Sequence, residues 1–229
     1  MNRLNGNVTE LAPRVSAGVQ VAVNCACWMC QTTLSTRAAF CHDCGTIQPS
    51  RQMDHFTRLG LDRRFDVDRD VMADRYTALS RIFQAERFAA KGPRQKQLAS
   101  DQIAALEEAY AELRCPVRRA QYLLSLHDAV SEETAEGTET IELRQELATA
   151  ADAAAIDRVA FKARHGVEVA IRELSGAFRQ QSYNLVAVIL ARLAQFEDIA
   201  ASARTRRSAN ILKLRSEEHT SELQSPCNL

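Results

Sequence analysis

Glycine and proline are scarce in this sequence, which has 8 Gly and 5 Pro among 229 residues. These two residues interrupt helices most strongly, whereas the helix-forming Ala, Leu, Glu and Arg occur throughout the chain. The sequence therefore predicts a mostly α-helical fold and argues against a β-sandwich or barrel with many turns.

Net charge and long apolar runs are also missing. The formal charge is zero, which gives no support to a general role at nucleic acids or membrane surfaces. No apolar run approaches the roughly 20 residues that span a bilayer. The sequence contains neither a phosphate-binding glycine loop nor a recognisable nucleophile with its base. We therefore predict a binding protein and not an enzyme.

Cysteine is plentiful, with seven residues, and no clear secretory signal accompanies it. This combination favours metal binding over disulfides. Two CxxC pairs, Cys27 with Cys30 and Cys41 with Cys44, can supply four thiolates to a tetrahedral ion. Zinc is the predicted ion, although four thiolates also suit iron. Because protein would fill all four positions, we predict a structural zinc module over residues 25–48.

The two ends of the chain are set apart from the fold. Residues 1–24 contain two Arg and a single acidic residue, which is compatible with a disordered arm or with the remains of a mitochondrial transit peptide. The stretch RSEEHTSELQSP resembles the conceptual translation of a sequencing-library adapter. We therefore expect residues 215–229 to be an artefact and place no site there.

The central segment, residues 70–91, carries apolar residues at helical spacing, and a second amphipathic run follows the Gly92-Pro93 break. Each run places its apolar residues in a stripe along one side of a helix, and the two stripes predict antiparallel helices that pack face to face. They are formed by Met72, Tyr76, Leu79 and Phe83, and by Ile103, Leu106, Tyr110 and Leu113.

The motifs M-D-x-F-x-x-L-G-L, from Met53, and R-Y-x-x-L-x-R, from Arg75, resemble the HscB family of J-domain co-chaperones for iron–sulfur cluster assembly. The resemblance continues through RCPVRRAQYLLSLHD and IELRQEL and covers about residues 27–203. It implies a J-domain over residues 52–128 and a C-terminal three-helix bundle over residues 131–207. A four-cysteine module in front is typical of the mitochondrial members.

The loop that activates the chaperone departs from the family. A working J-domain carries His-Pro-Asp between its second and third helices and thereby triggers ATP hydrolysis by a DnaK-type chaperone. Gln84, Ala85 and Glu86 stand at these positions here. All three are good helix formers, so we expect one continuous helix to about Lys91. The resemblance also implies chaperone-facing roles for Arg75 and Arg81, for which solvated charge is the alternative.

The bundle of this family binds the scaffold protein on which the cluster is built. The resemblance implies scaffold-facing roles for Ile141, Glu142, Gln145 and Phe196. The Leu-Met pair expected just before them is Gly137-Thr138 here. In the alternative interpretation, Ile141 and Phe196 belong to the core and Glu142 is merely solvated.

Two functions follow from these residues. The first is an HscB-like, non-catalytic co-chaperone or binding protein of iron–sulfur cluster assembly that does not stimulate a DnaK-type ATPase. The second is an accessory or assembly subunit of a large mitochondrial complex, such as a respiratory complex or the mitoribosome. Both place the protein on the matrix side of mitochondria, with a scaffold protein or a large assembly as its partner and no nucleic acid.

Overall fold

The computed structural model describes the backbone of residues 24–127 and 137–222, with side chains as far as residue 211. The elements in chain order are strands β1 Asn24–Ala26 and β2 Thr33–Ser35, helices α1 His55–Leu59 and α2 Arg69–Phe83, a 3₁₀ helix Ala85–Phe88, and helices α3 Pro93–Arg114, α4 Pro116–Ser125, α5 Thr138–Thr149, α6 Ala153–Arg179 and α7 Tyr183–Glu222. The predicted mostly helical architecture is confirmed. The chain divides into two compact units at Arg51.

The first unit is a small cysteine-rich module. Strands β1 and β2 pair antiparallel, with Cys25 opposite Leu34, and a single bridge joins Phe40 to Ile47. Its hydrophobic core is centred on Cys27, Leu34 and Cys41. A core this small does not stabilise a fold alone, and such modules depend on a metal or disulfides.

Helices of the second unit begin at residues that suit their first turn. Asp54, Asp68 and Asp152 cap α1, α2 and α6 by accepting hydrogen bonds from backbone N–H groups. The prolines that open α3 and α4 lack an N–H that would otherwise be unpaired there. The left-handed Gly60, with φ of 65°, ends α1.

Helices α2 and α3 form the predicted hairpin. Met72 and Phe83 are buried on α2, and Leu106 and Leu113 are buried on α3. Tyr76 and Tyr110 stack across the pair, with ring centroids 4.3 Å apart. The facing stripes that the sequence predicted therefore meet as expected.

The prediction of a continuous helix to Lys91 is wrong. Helix α2 ends at Phe83, and Gln84 leaves the helical conformation with ψ of 138°. Phe83 and Phe88 are both buried, at 5% and 6% exposed. Residues five apart on an α-helix point about 140° away from each other, so an unbroken helix would expose one ring. Burial of both rings overrides the helix propensity of Gln84, Ala85 and Glu86.

The C-terminal bundle consists of α5, α6 and α7. Its own core contains residues of all three helices, including Leu143, Leu147, Ile156, Val159 and Ile199. The other parts of α6 and α7 contribute Leu174 and Leu193 to the core that also holds Phe56 and Leu106 of the hairpin region. The two long helices thus take part in both cores, and the predicted domain boundaries inside this unit remain a prediction.

Helices α6 and α7 approach closely where Gly166 faces Phe196. A methyl group on Gly166 would lie 2.7 Å from the Phe196 ring, and that ring is 2% exposed. The missing side chain of Gly166 is therefore what admits the ring between the helices.

The predicted terminal segments fall largely outside the described residues. The arm is described only at its last residue, Asn24. The backbone of α7 continues to Glu222, within the predicted artefact, and residues 223–229 lie outside. Among the described residues, no helix has the length and apolar character needed to cross a membrane.

Candidate functional site

The four predicted metal ligands come together in the first unit. The sulfurs of Cys27, Cys30, Cys41 and Cys44 all lie within 4.8 Å of one another. The Cys27 and Cys44 sulfurs are 3.7 Å apart, and those of Cys30 and Cys41 are 3.6 Å apart. A tetrahedral ion with bonds of about 2.3 Å holds its sulfurs about 3.8 Å apart. The donor set and its spacing fit a four-thiolate metal site.

The cluster is built from two copies of one local turn. In each CxxC loop the residue after the second Cys, Gln31 or Gly45, adopts a left-handed backbone with φ of 65° or 69°. Its N–H donates to the carbonyl of the first Cys at 3.0 Å in both loops. The next residue is Thr in both copies, and its carbonyl accepts from the N–H of that same first Cys at 2.9 Å. This turn directs both sulfurs of a pair to one side.

The threonines also contact the sulfurs directly. Thr32 Oγ1 lies 3.2 Å from the Cys30 sulfur, and Thr46 Oγ1 lies 3.3 Å from the Cys44 sulfur. The repeat CxxC-x-T is visible in the sequence, but only the ligands were predicted from it. Residues that orient metal ligands affect metal affinity strongly.

Gln48 is a further residue that sequence reasoning missed. Its side-chain amide is fully buried and donates to the Cys27 sulfur at 3.3 Å and to the Thr46 carbonyl at 2.9 Å. No motif marks this position, because Gln48 reaches the cluster only after the chain has turned at Gly45.

The surroundings shift the pKa of three of the clustered thiols, and not all in the same direction. Burial raises the pKa of Cys27, but the N–H groups of Cys30 and Met29 and the neighbouring thiols together lower it to about 6. The N–H of Cys44 lowers the pKa of Cys41, yet burial and the adjacent thiols raise it to about 11. The contacts of Cys44 with Thr46 lower the pKa of Cys44. A metal ion takes the place of the protons, so metal binding is expected to release protons.

The predicted J loop is exposed on the second unit. Gln84, Ala85 and Glu86 all face solvent, and the Gln84 carbonyl accepts the N–H of Arg87 at 3.0 Å. The backbone therefore leaves the helical conformation between α2 and α3, and the side chains of all three residues are accessible. Arg75 and Arg81 are exposed on α2, so both are accessible to a partner.

The predicted scaffold-facing residues divide into two groups. Ile141, Glu142 and Gln145 are exposed on α5, with Ile141 40% exposed. Phe196 is buried in the bundle core beside Gly166, so its predicted surface role is wrong. Packing between α6 and α7 encloses the ring completely. The alternative interpretation holds for Phe196 but not for Ile141.

Comparison with known proteins gives similar sequences and similar solved structures. No family model matches the chain. The "Co-chaperone protein HscB" of Proteus mirabilis (strain HI4320) is 37% identical over 102 residues, which are 42% of this chain and 59% of that protein. The chain thus matches about three fifths of the length of this curated relative.

Two solved structures share the fold. The human co-chaperone protein HscB has a TM-score of 0.68 and 24% identity, covering 80% of this chain and 98% of that one. The chaperone HscB from Vibrio cholerae has a TM-score of 0.56 and 27% identity, covering 69% and 99%.

The sequence match and the shared fold agree with the resemblance carried by the motifs of the central segment and α4. The chain is therefore similar to an HscB co-chaperone in sequence over 102 residues and to solved HscB structures in fold over most of its length.

Proposed function

We propose that this protein is a binding co-chaperone of iron–sulfur cluster assembly that does not stimulate a DnaK-type ATPase. The relationship to HscB co-chaperones supports the assembly role. The exposed loop formed by Gln84, Ala85 and Glu86 is the observation that carries the second part. The role proposed is one of binding, without enzymatic chemistry of its own.

The loss of the trigger is a loss of chemical groups and not of architecture. Gln84 has no imidazole, Ala85 does not restrict the backbone as proline would, and Glu86 is one methylene longer than Asp. Helix α2 nevertheless ends before this loop. Gln84, with φ of −53° and ψ of 138°, has the extended backbone that a residue before proline requires.

An ATPase assay with a DnaK-type chaperone tests this proposal. The unmodified protein is expected to leave the hydrolysis rate unchanged, and the combined variant Gln84→His, Ala85→Pro and Glu86→Asp is expected to raise it. The matched control Gln84→Asn, Ala85→Pro and Glu86→Asp has the same turn without an imidazole and is expected to be inactive. Clear stimulation by the unmodified protein would refute the proposal.

The exposed face of α5 is the proposed contact for a scaffold protein. Ile141 and Gln145 lie one turn apart on this face, and Glu142 lies beside them. A charge at the apolar centre of an interface is costly. Ile141→Glu is therefore expected to weaken scaffold binding about tenfold or more by calorimetry. Val188→Glu, at an exposed position of α7, is the matched control and is expected to bind normally.

The other function, an accessory subunit of a large mitochondrial complex, is not favoured by any feature of the described residues. Native co-purification separates the two functions. Recovery of a cluster scaffold supports the co-chaperone role, and stoichiometric recovery of one large complex contradicts it. We also propose the mitochondrial matrix as the location, on the basis of the four-cysteine module, and cell fractionation tests it.

Zinc is the proposed ion of the cysteine cluster, with a structural role. The sulfur spacing supports a tetrahedral ion, and all four positions belong to protein. Elemental analysis of the purified protein is expected to find one zinc per chain. Iron in its place, with the visible absorption of an iron–thiolate centre, would contradict this assignment.

A further inference from the structure

A cleft in the helical unit carries an excess of positive charge that neither the metal cluster nor the J loop uses. Its cavity, of about 450 Å³, lies between the segment that precedes α2, the end of α4 and the junction of α6 with α7. This volume is within the range of ligand-binding pockets. Three arginines, Arg63, Arg64 and Arg179, line it, whereas Asp66 is its one acidic residue among those described.

The three arginines differ in how freely they can bind an anion. Arg63 pairs with Asp54 at 2.7 Å, and Arg179 lies 3.7 Å from Asp66. Arg64 is exposed, and its side chain has no hydrogen bond or ion pair within the described part of the chain. The side chain of Asp54 is only 9% exposed, so Arg63 stays with this carboxylate. The pair of Arg179 with Asp66 is exposed on both sides and contributes little, about 0–1 kcal/mol, so Arg179 can also turn to an incoming anion.

Aromatic and aliphatic side chains form the wall of the same cleft. Phe65 and Phe178 stack with ring centroids 5.1 Å apart, and His127 stacks on Tyr183 at 4.1 Å. Leu126 is 37% exposed at the edge. An occupant gains more free energy from covering these groups than from exposed charges alone.

We propose that this cleft binds an acidic peptide segment of a partner protein, with an apolar side chain against the aromatic wall and carboxylates on the arginines. The cationic groups come from two separate elements, so a segment with several carboxylates matches them better than a small anion with one. This site is independent of the proposed function, since neither the J loop nor the face of α5 lines it.

Fluorescence anisotropy with a labelled peptide of alternating Glu and Leu tests the proposal on the full-length protein. The peptide is expected to bind the unmodified protein, and its affinity is expected to fall about tenfold in Arg64→Glu because the partner's carboxylates then meet a like charge. The matched control is Arg158→Glu, an exposed position on α6 about 30 Å along the helix from Arg179. It is expected to leave the affinity unchanged.

Two further peptides separate the charged and apolar contributions. A Gln-Leu peptide and a Glu-Gly peptide are each expected to bind at least about tenfold more weakly than the Glu-Leu peptide. Equal binding by either peptide, or equal affinity in Arg64→Glu and the unmodified protein, would overturn the proposal. Arg64 is exposed, and among the described residues its side chain has no hydrogen bond or ion pair, so its substitution is not expected to disturb folding.

Residues 128–136, which follow His127, contain Asp128, Glu132, Glu133 and Glu136, so a competing acidic segment of the chain itself has to be tested. The variant Glu132→Gln with Glu133→Gln is expected to bind the Glu-Leu peptide with unchanged affinity. A tenfold gain would show that the chain's own acidic segment occupies the cleft, and it would overturn the assignment to a partner.

Discussion

Gln31 and Gly45 occupy equivalent left-handed positions in the two cysteine loops. The left-handed backbone costs an L-residue about 1–2 kcal/mol, whereas glycine adopts it freely. The strain at Gln31 is therefore stored in the turn that positions Cys27 and Cys30. Since metal binding and folding are coupled in such modules, this strain is expected to lower metal affinity.

Exchanging these two residues tests that effect. Gln31→Gly is expected to tighten metal binding several-fold, and Gly45→Gln, whose side chain would point into open space, is expected to weaken it by about fivefold, corresponding to about 1 kcal/mol. Competition with a chelator measures both. Equal affinities in all three proteins would show that the backbone strain is relieved elsewhere.

Gly166 and Gly176 lie on the same helix in different surroundings. Gly166→Ala would push a methyl group into the buried Phe196 ring, while nothing lies within 4 Å of a methyl group at Gly176. Overpacking costs about 1–3 kcal/mol, and alanine gains about 1 kcal/mol of helix propensity.

Urea denaturation is expected to show a lower free energy of unfolding for Gly166→Ala, by up to about 2 kcal/mol, and a higher one for Gly176→Ala, by about 0.5–1 kcal/mol. Both variants make the same chemical change, so the difference between their free energies of unfolding gives the packing cost at Gly166 without the gain in helix propensity. A stabilised Gly166→Ala would mean that the ring can move aside.

At the scale of elements, the junction of α2 with the 3₁₀ helix determines how the J loop behaves. Phe83 and Phe88 are buried on its two sides, and the three residues after Phe83 are exposed. The conformation of the loop therefore depends on its flanks and not on its own side chains.

Ala85→Pro tests this view of the loop. Gln84 already has the backbone conformation that a residue before proline adopts. Position 85 is the first residue of the 3₁₀ helix, where the N–H that proline lacks is not needed for a helical hydrogen bond. We expect the free energy of unfolding to rise by about 0–1 kcal/mol, through a less flexible unfolded chain. Ala89→Pro is the control, because the Ala89 N–H donates to the Glu86 carbonyl, and it is expected to destabilise the protein.

At the scale of the whole molecule, the cysteine-rich module and the helical unit are separate compact units. Metal removal by a chelator is expected to unfold the module while the helical far-ultraviolet circular dichroism stays nearly unchanged, because the described helices lie beyond Arg51. A large loss of helical signal on chelation would show that the units fold as one.

Single cysteine variants sharpen the same prediction. Cys27→Ser and Cys41→Ser are expected to abolish stoichiometric metal binding. Cys25→Ser and Cys115→Ser are the matched controls and are expected to retain it, since neither residue belongs to the cluster. Metal content after gel filtration provides the measurement.

Much of this architecture could be predicted from local patterns. The spacing of Met72, Tyr76 and Phe83 predicted the hairpin, because helical periodicity places these residues on one side without reference to the rest of the chain. The two CxxC pairs predicted the ligands for the same reason, since each pair forms its own turn.

The features that failed prediction depend on residues distant in sequence. Gln84 leaves the helix because the packed structure buries both Phe83 and Phe88. Phe196 is buried because Gly166, thirty residues earlier, leaves a space for its ring. Gln48 reaches Cys27 only through the folded module.

The sequence by itself determined the helical class, the four clustered cysteines and the presence of Gln84, Ala85 and Glu86 in the J loop, because each depends on which residues are present and on their local spacing. Only the tertiary structure decided where α2 ends, which predicted contacts remain exposed and that three arginines meet over an aromatic wall. Those outcomes depend on burial, and burial is set by packing between elements that no local pattern brings together.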